Sequence, residues 1–153
     1  MKERVTRMPH DTAVHGRTLV QGPRVLAPLV VTDHPLSFWG GYDPVTGHIV
    51  DRHHPLYSVA CAGCVLALPA SRGSSTGSAV LLEAIRVGTA PAALIISRVD
   101  PILALGLVVA DELYHQTRSV VLLRPEDWGW LHRWSRVVVD PAGWVQGDRP
   151  VSP

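Results

Sequence analysis

Strand-length apolar runs alternate with helix-forming segments along the chain, and this alternation limits the possible folds more than any other feature. Apolar runs occupy residues 59–69, 91–97 and 119–123. Between them, residues 79–88 have the apolar spacing of an amphipathic helix ending at a glycine, and residues 100–113 form a second helical or mixed segment. Strands that alternate with helices predict an α/β fold whose mixed sheet is parallel in part and carries short helices.

The composition indicates one globular domain. The 153 residues are 46% hydrophobic and 18% charged, with a net charge of +1, which is unlike a disordered chain or a basic nucleic-acid-binding protein. No apolar run approaches the roughly 20 residues of a membrane span. The N-terminal residues lack the apolar centre of a secretory signal, and two cysteines do not make a disulfide framework. We therefore expect a cytoplasmic protein that binds neither nucleic acid nor membrane.

The chain ends and the first half suggest the domain boundaries. Residues 1–16 carry charge, histidine and proline without periodicity, which predicts a flexible N-terminal arm, and residues 147–153 predict a flexible tail. The domain itself is then 17–146. It begins with two short strands separated by a Gly-Pro turn, and its Trp-rich C-terminal stretch predicts a short terminal strand with aromatic side chains packed on the body.

Residues 33–57 form a long segment dense in turn residues. It mixes aromatic, acidic and histidine side chains, and long irregular connections are uncommon unless they carry function. The segment is either a binding or interface loop, or a solvated connection held in place by buried Phe38 and Trp39.

Residues 71–78, which read Ser-Arg-Gly-Ser-Ser-Thr-Gly-Ser, lie where a strand leads into a helix. The free backbone N–H groups and the helix dipole at such a junction favour an anionic ligand. Gly73 allows close approach of the backbone, and Arg72 can bind a carboxylate through two hydrogen bonds. The alternative is that this stretch only caps the helix, but capping needs one hydroxyl, and the additional hydroxyls favour a ligand-binding loop. The nucleotide-binding glycine motifs and the Gly-x-Ser-x-Gly motif are absent.

Other candidate groups give weaker signals. Cys61 and Cys64 fall in the apolar run, where strand geometry would place the two sulfurs on opposite faces as small buried side chains. His53 and His54 are adjacent, and neighbouring histidines seldom bind one metal ion together. Asp100, at the end of an apolar run, is either a ligand group at the carboxyl edge of the sheet or a plain turn residue.

Three segments resemble the swivel domain, or small subunit, of the aconitase X family: residues 35–56, 65–83 and 91–113. The most specific part of the resemblance is the motif Arg-Gly-Ser-Ser-x-Gly-Ser-x-Val-Leu-Leu-Glu, which starts at Arg72. The resemblance implies a swivelling β/β/α domain that forms half of a dehydratase site. It also implies a larger subunit that holds an iron or iron–sulfur centre, with no cofactor bound by this chain alone.

The resemblance also implies roles for individual residues. Ser74 is carried over as the catalytic base, with Ser75 as the fallback. In ordinary aconitases a related loop has an arginine after Gly-Ser-Ser, but Thr76 stands there in this sequence, so the role of that arginine is not carried over. From their chemistry and position in the loop, Arg72, Gly73, Ser75 and Thr76 are the candidate contacts to a small carboxylate substrate. The implied activity is removal of water from cis-3-hydroxy-L-proline. The alternatives are the phosphomevalonate dehydratase small subunit and a non-catalytic module that binds a small anion.

Overall fold

Eight strands and four helices are present in the computed structural model, which describes residues 13–73 and 75–148. The strands are β1 (Ala13–His15), β2 (Arg17–Val20), β3 (Val25–Val31), β4 (Val65–Ala67), β5 (Ala93–Ile96), β6 (Ser119–Leu122), β7 (Arg136–Val139) and β8 (Trp144–Gly147). The helices are α1 (Phe38–Gly41), α2 (Thr76–Val87), α3 (Pro101–Tyr114) and α4 (Pro125–Leu131). All strands belong to one sheet, in the order β1-β8-β7-β3-β4-β5-β6-β2.

The centre of the sheet is parallel, as the alternation of strands and helices predicts. Strands β3, β4, β5 and β6 run side by side in the same direction. Their side chains alternate between two apolar cores: Leu66 and Leu94 pack beneath α2 and α3, while Val65 and Ala93 face the opposite core with Val137. Both faces of these strands are covered, which explains why their sequences are almost continuously apolar.

The sheet curls almost into a barrel because its two outermost strands are consecutive in the chain. Only Gly16 separates β1 from β2, and its N–H donates to the Gly143 carbonyl at 2.9 Å. A Cβ on Gly16 would lie 2.5 Å from Val121 Cγ1 and 2.7 Å from the Leu122 carbonyl oxygen. The sharp change of direction therefore requires a glycine at this point.

The fold extends further at both ends than the predicted boundaries. Residues 13–15 of the predicted arm form β1, which pairs with β8 and so belongs to the sheet. At the other end, Gly147 ends β8, and the Asp148 carboxylate accepts a hydrogen bond from Ser135 N at 3.0 Å. Residues 1–12 and 149–153, the remainder of the predicted arm and tail, lie outside the described residues.

The Trp-rich C-terminal stretch holds more structure than the single strand predicted. It forms α4 and the hairpin of β7 and β8. Pro125 at the first helical position starts α4, and Glu126 and Asp127 lie in its first turn, where acidic groups favour the helix dipole. Trp134 is buried, which confirms the prediction that aromatic side chains pack on the body. None of the helices in residues 13–73 and 75–148 is both long and apolar enough to span a bilayer.

The placement predicted for the two cysteines is wrong in one respect. Strand β4 begins only at Val65, so Cys61 and Cys64 lie in the turn before it, where Cys64 N donates to the Cys61 carbonyl at 3.2 Å. Since a turn lacks the alternation of a strand, both side chains enter the same core beneath α2 instead of opposite faces. Their burial is as predicted.

A polar contact on the surface ties α4 to the end of β3. One carboxylate oxygen of Asp33 accepts hydrogen bonds from Trp128 Nε1 and His132 Nε2, each at 2.9 Å, and these bonds lower the pKa of Asp33. A carboxyl group whose pKa is lower in the folded chain stabilises the fold above its unfolded pKa of about 3.9. That contribution disappears as the pH falls through the lowered, folded value.

We expect Asp33→Asn to lower the free energy of unfolding by less than about 1 kcal/mol at neutral pH, because the contact is exposed. The difference between the variant and the wild type should shrink as the pH is lowered towards about 3. Urea unfolding of both proteins at several pH values measures this difference in the free energy of unfolding. A difference independent of pH would show that the charge of Asp33 does not contribute.

Candidate functional site

The loop predicted to bind an anion lies at the carboxyl end of β4, between two neighbouring connections. On one side, Arg72 N donates to the Leu36 carbonyl at 3.0 Å, which attaches the loop to the 33–57 segment. On the other, Ser97 N and Arg98 N donate to the Pro69 carbonyl at 3.2 and 3.1 Å, which attaches it to the end of β5. The loop therefore occupies the edge of the sheet where α/β proteins commonly bind ligands.

Asp100 holds the loop to α3. Its side chain is 5% exposed, and one oxygen accepts hydrogen bonds from Ile102 N at 3.0 Å and Leu103 N at 3.2 Å, as an N-cap does. The other oxygen accepts a hydrogen bond from Ser71 N. Asp100 is thus neither the ligand group nor the plain turn residue considered from the sequence. It acts as a buried anchor between a helix start and the candidate site.

The helix α2 begins after Ser75, without a capping bond from the Ser75 side chain. Ser75 occupies the N-cap position with helical backbone angles and makes no side-chain capping bond. Ser78 Oγ donates to the Ser75 carbonyl at 2.7 Å. Thr76 is the first residue of α2, and it is exposed like Ser75. Ser74, the predicted base, lies outside the described residues, so its role stays a prediction.

Two glycines shape the loop. Gly73 has φ of +104°, a left-handed conformation that side chains rarely adopt, and a Cβ there would lie 3.2 Å from Ser37 Oγ. Gly77 is buried, and its Cβ position lies 3.6 Å from Phe38 Cβ and 3.9 Å from Ile102 Cγ2. The glycines therefore let the loop pack closely between the 33–57 segment and α3.

The 33–57 segment contributes directly to the site, which favours the first of the two interpretations made from the sequence. A small cavity of about 130 Å³ lies between this segment and Arg72. The residues that line it are His34, Pro35, Ser37, Asp51, His53, His54, Pro55 and Arg72. Phe38 is buried as predicted, but Trp39 is 61% exposed, so the expectation that both aromatic rings hold the segment is wrong for Trp39.

The hydrogen bonds of His54 identify its tautomer. His54 is 7% exposed, and its Nδ1 accepts a hydrogen bond from Leu56 N at 3.1 Å. Nδ1 therefore carries no proton, so Nε2 is protonated and donates to the His34 carbonyl at 3.4 Å. The two bonds fix the orientation of the ring, which forms part of the cavity wall.

The electrostatics of the site favour negative charge at the loop. The 12-residue helix α2 directs its N-terminus to the loop, and its first turn carries no acidic residue. Within residues 13–73 and 75–148, the Arg72 guanidinium forms no ion pair. Both features supply positive potential at the loop.

A larger cavity of about 760 Å³ lies elsewhere, between the β1–β2 bend and the start of α4. Its wall includes Arg17 and Arg124. Arg124 is already paired with Asp127 at 2.9 Å, so part of its charge is neutralised. Among the described residues that line this cavity, none belongs to the loop that contains Arg72.

The described residues do not fit an iron or iron–sulfur centre. Among residues 13–73 and 75–148, no group of three or more His, Cys, Asp or Glu side chains is placed to hold a metal ion. Cys61 and Cys64 are enclosed in the core, where the hydrogen bond with Cys61 and burial raise the pKa of the Cys64 thiol.

We expect both thiols to resist modification in the folded chain, because both sulfurs are enclosed in the core. At Cys64 the hydrogen bond with Cys61 and burial also disfavour the thiolate, whereas the same hydrogen bond lowers the pKa of Cys61, so enclosure alone protects that thiol. Reaction with a disulfide reagent such as 5,5′-dithiobis(2-nitrobenzoate) should be at least about 100-fold slower than in urea, since it requires opening of the core. Rapid reaction of one thiol per folded chain would contradict this placement.

Comparison with known proteins places the fold and the loop in a family. Residues 13–146 match the family model described as the aconitase X swivel domain. The chain belongs to the aconitase X swivel-domain family. The crystal structure of Thermococcus kodakaraensis aconitase X in its holo-form matches 89% of this chain and 98% of that chain. The TM-score is 0.75 and the sequence identity 28%, which confirms the predicted fold class.

Curated relatives in the aconitase X family are named dehydratases. The chain is 46% identical over 116 residues to the cis-3-hydroxy-L-proline dehydratase of Pseudomonas aeruginosa, covering 76% of this chain and 20% of that protein. It is 45% identical over 93 residues to the phosphomevalonate dehydratase small subunit of Methanopyrus kandleri, covering 60% of this chain and 69% of that protein. The chain thus spans about one fifth of the length of the hydroxyproline dehydratases that it matches.

Proposed function

We propose that this chain is the swivel part of an aconitase X-type dehydratase and that it forms half of an active site. The observation that carries the proposal is the family match over residues 13–146, which includes the whole loop between β4 and α2. The larger partner corresponds to the remaining four-fifths of the hydroxyproline dehydratases, of which this chain matches 20%. We place the iron centre on that partner, where it would supply Lewis-acid chemistry when bound.

In the proposed reaction, the loop binds the substrate carboxylate and Ser74 removes the neighbouring proton. A serine accepts a proton only as an alkoxide, and the positive potential from α2 and Arg72 lowers the cost of that charge. The proton passes from carbon to Ser74 Oγ, the electron pair of the C–H bond forms the new double bond, and the C–O bond breaks to release hydroxide. Transfer of the proton from Ser74 Oγ to that hydroxide gives water and restores the alkoxide, so the substrate loses one molecule of water in total. Negative charge spreads onto the carboxylate in the transition state, where the loop's N–H groups and Arg72 stabilise it.

We propose cis-3-hydroxy-L-proline as the substrate. Support comes from two relatives with that name, which align with 76% and 78% of this chain. Phosphomevalonate is the second candidate, because small subunits with that name align with this chain over 60% of its length at up to 45% identity. The two substrates differ in charge, since the first is a zwitterion and the second carries a phosphate.

The test is to co-express the chain with the large subunit from the same genome and to purify the two together. We expect a stable complex that releases water from cis-3-hydroxy-L-proline, whereas the separate chain is inactive. Assays with phosphomevalonate identify the second candidate. A complex inactive on both substrates, or a chain that binds a small carboxylate tightly without a partner, would contradict the proposal and favour a non-catalytic module.

A further inference from the structure

Two opposite charges line the 130 Å³ cavity beside the loop without neutralising each other. Arg72 and Asp51 both contribute to its wall. Within the described parts of the chain, neither side chain forms an ion pair, either with the other or with a third residue. One Asp51 oxygen accepts a hydrogen bond from His53 N at 2.9 Å, and the second has no hydrogen bond from any described residue. Both charges therefore remain able to bind a ligand.

Such a pair matches a ligand that carries both charges itself. We infer that this cavity binds the zwitterionic end of an α-amino acid, with its carboxylate on Arg72 and its ammonium group on Asp51. A guanidinium can bind a carboxylate through two parallel hydrogen bonds, and a carboxylate accepts charge-assisted hydrogen bonds from an ammonium group. The inference rests on the proposed function and deepens it, because it selects an amino acid as the substrate class.

The surroundings of the pair favour a zwitterion over a doubly anionic substrate. A phosphorylated hydroxy acid has no ammonium group beside its carboxylate, so with that carboxylate on Arg72 the Asp51 carboxylate would have no cationic partner in the cavity and would repel the bound anion. Both ring nitrogens of the neighbouring His54 already have hydrogen-bond partners, Leu56 N and the His34 carbonyl, so neither is free to bind an anionic group. The carbon that bears both the ammonium and the carboxylate would then lie beside Arg72 and the loop that follows it.

The cavity is also small. Its volume of about 130 Å³ lies below the roughly 300–1,000 Å³ of pockets for drug-sized ligands. It suits one end of a compact molecule, and the partner would cover the rest. In this inference Asp51 acts in substrate recognition, because it pairs with the ammonium group, and it takes no part in the proton transfer, which is assigned to Ser74.

The test uses the complex of this chain with its large subunit and two unreactive probes. L-proline carries a ring ammonium group, whereas (S)-tetrahydrofuran-2-carboxylate has an ether oxygen in its place. We expect L-proline to inhibit the wild-type complex at least about tenfold more tightly than the ether.

In Asp51→Asn this preference should fall to within about threefold, through weaker binding of L-proline. The KM for cis-3-hydroxy-L-proline should rise about tenfold in Asp51→Asn, with a smaller change in kcat.

Two further variants serve as comparisons. Asp43→Asn changes an aspartate of the same long segment that does not line the cavity and bonds instead to Val45 N at 2.8 Å and Thr46 Oγ1 at 2.9 Å. It should keep the wild-type preference. Arg72→Gln should weaken both probes by similar factors, because both carry the carboxylate.

Each result separates this inference from the proposed function. If the complex dehydrates cis-3-hydroxy-L-proline but Asp51→Asn keeps the tenfold preference, the inference is wrong and the proposed function stands. If the complex acts on phosphomevalonate alone, the inference is wrong and only the substrate of the proposal changes. A complex that is inactive on both substrates contradicts the proposed function itself. Direct calorimetric titration of that complex with the two probes then tests the inference, and equal affinity for L-proline and the ether removes it as well.

Discussion

Replacing Ser74 with alanine is expected to lower kcat of the two-subunit complex by about 10³-fold or more while leaving its assembly unchanged. Alanine removes the only group that the proposal assigns to proton removal, and general-base catalysis typically contributes 10²- to 10⁴-fold. The change removes a single hydroxyl oxygen, so we expect the complex to assemble as before. Steady-state kinetics on complexes checked by size-exclusion chromatography measure both quantities.

The neighbouring serines provide the comparison. Ser78→Ala removes a hydroxyl that donates to the Ser75 carbonyl at 2.7 Å, and it should change kcat by less than about threefold. Ser75→Ala tests the fallback assignment. If Ser75→Ala abolishes turnover and Ser74→Ala does not, then the base is Ser75. Wild-type activity in both variants would remove serine from the proton-transfer step altogether.

The central elements of the fold could be predicted because their signals are local. Gly88 ends α2 with a left-handed conformation, φ +87°, and Pro101 with Asp100 before it starts α3, so both helices follow from neighbouring residues. Strand β1 could not be predicted in the same way. Its three residues are held by pairing with β8, about 130 positions later, and by the bend at Gly16.

The same distinction between local signals and long-range contacts applies to the candidate site. The loop of residues 71–78 could be found because a strand, a Gly/Ser-rich stretch and a helix follow one another in the sequence. The residues that complete it could not, since Asp51 and His54 reach Arg72 only through the path of a long irregular segment. The role of Asp100 was likewise hidden, because its bond to Ser71 joins residues 29 positions apart.

Asp100→Ala is expected to lower the free energy of unfolding by about 2–4 kcal/mol, because the helix loses its cap and a part-buried N–H group loses its hydrogen-bond partner. Ile102 N and Leu103 N lose their cap, and Ser71 N loses the bond that holds the loop. The melting temperature should fall by roughly 5–12 °C. We also expect kcat of the complex to fall, because catalytic groups held about 1 Å out of place can lose about 100-fold.

A second variant separates the two roles of Asp100. In Asp100→Asn the amide oxygen can still cap Ile102 N and Leu103 N, but the amide nitrogen then faces Ser71 N, where a donor meets a donor. We therefore expect most of the stability to return while the loss of kcat remains. The matched control is Asp148→Ala, which also removes bonds to two backbone N–H groups, Ser135 N and Arg136 N, but at an exposed site away from the loop. It should leave kcat unchanged. If Asp100→Asn recovers both stability and kcat, the bond to Ser71 does not position the loop, and Asp100 serves α3 alone.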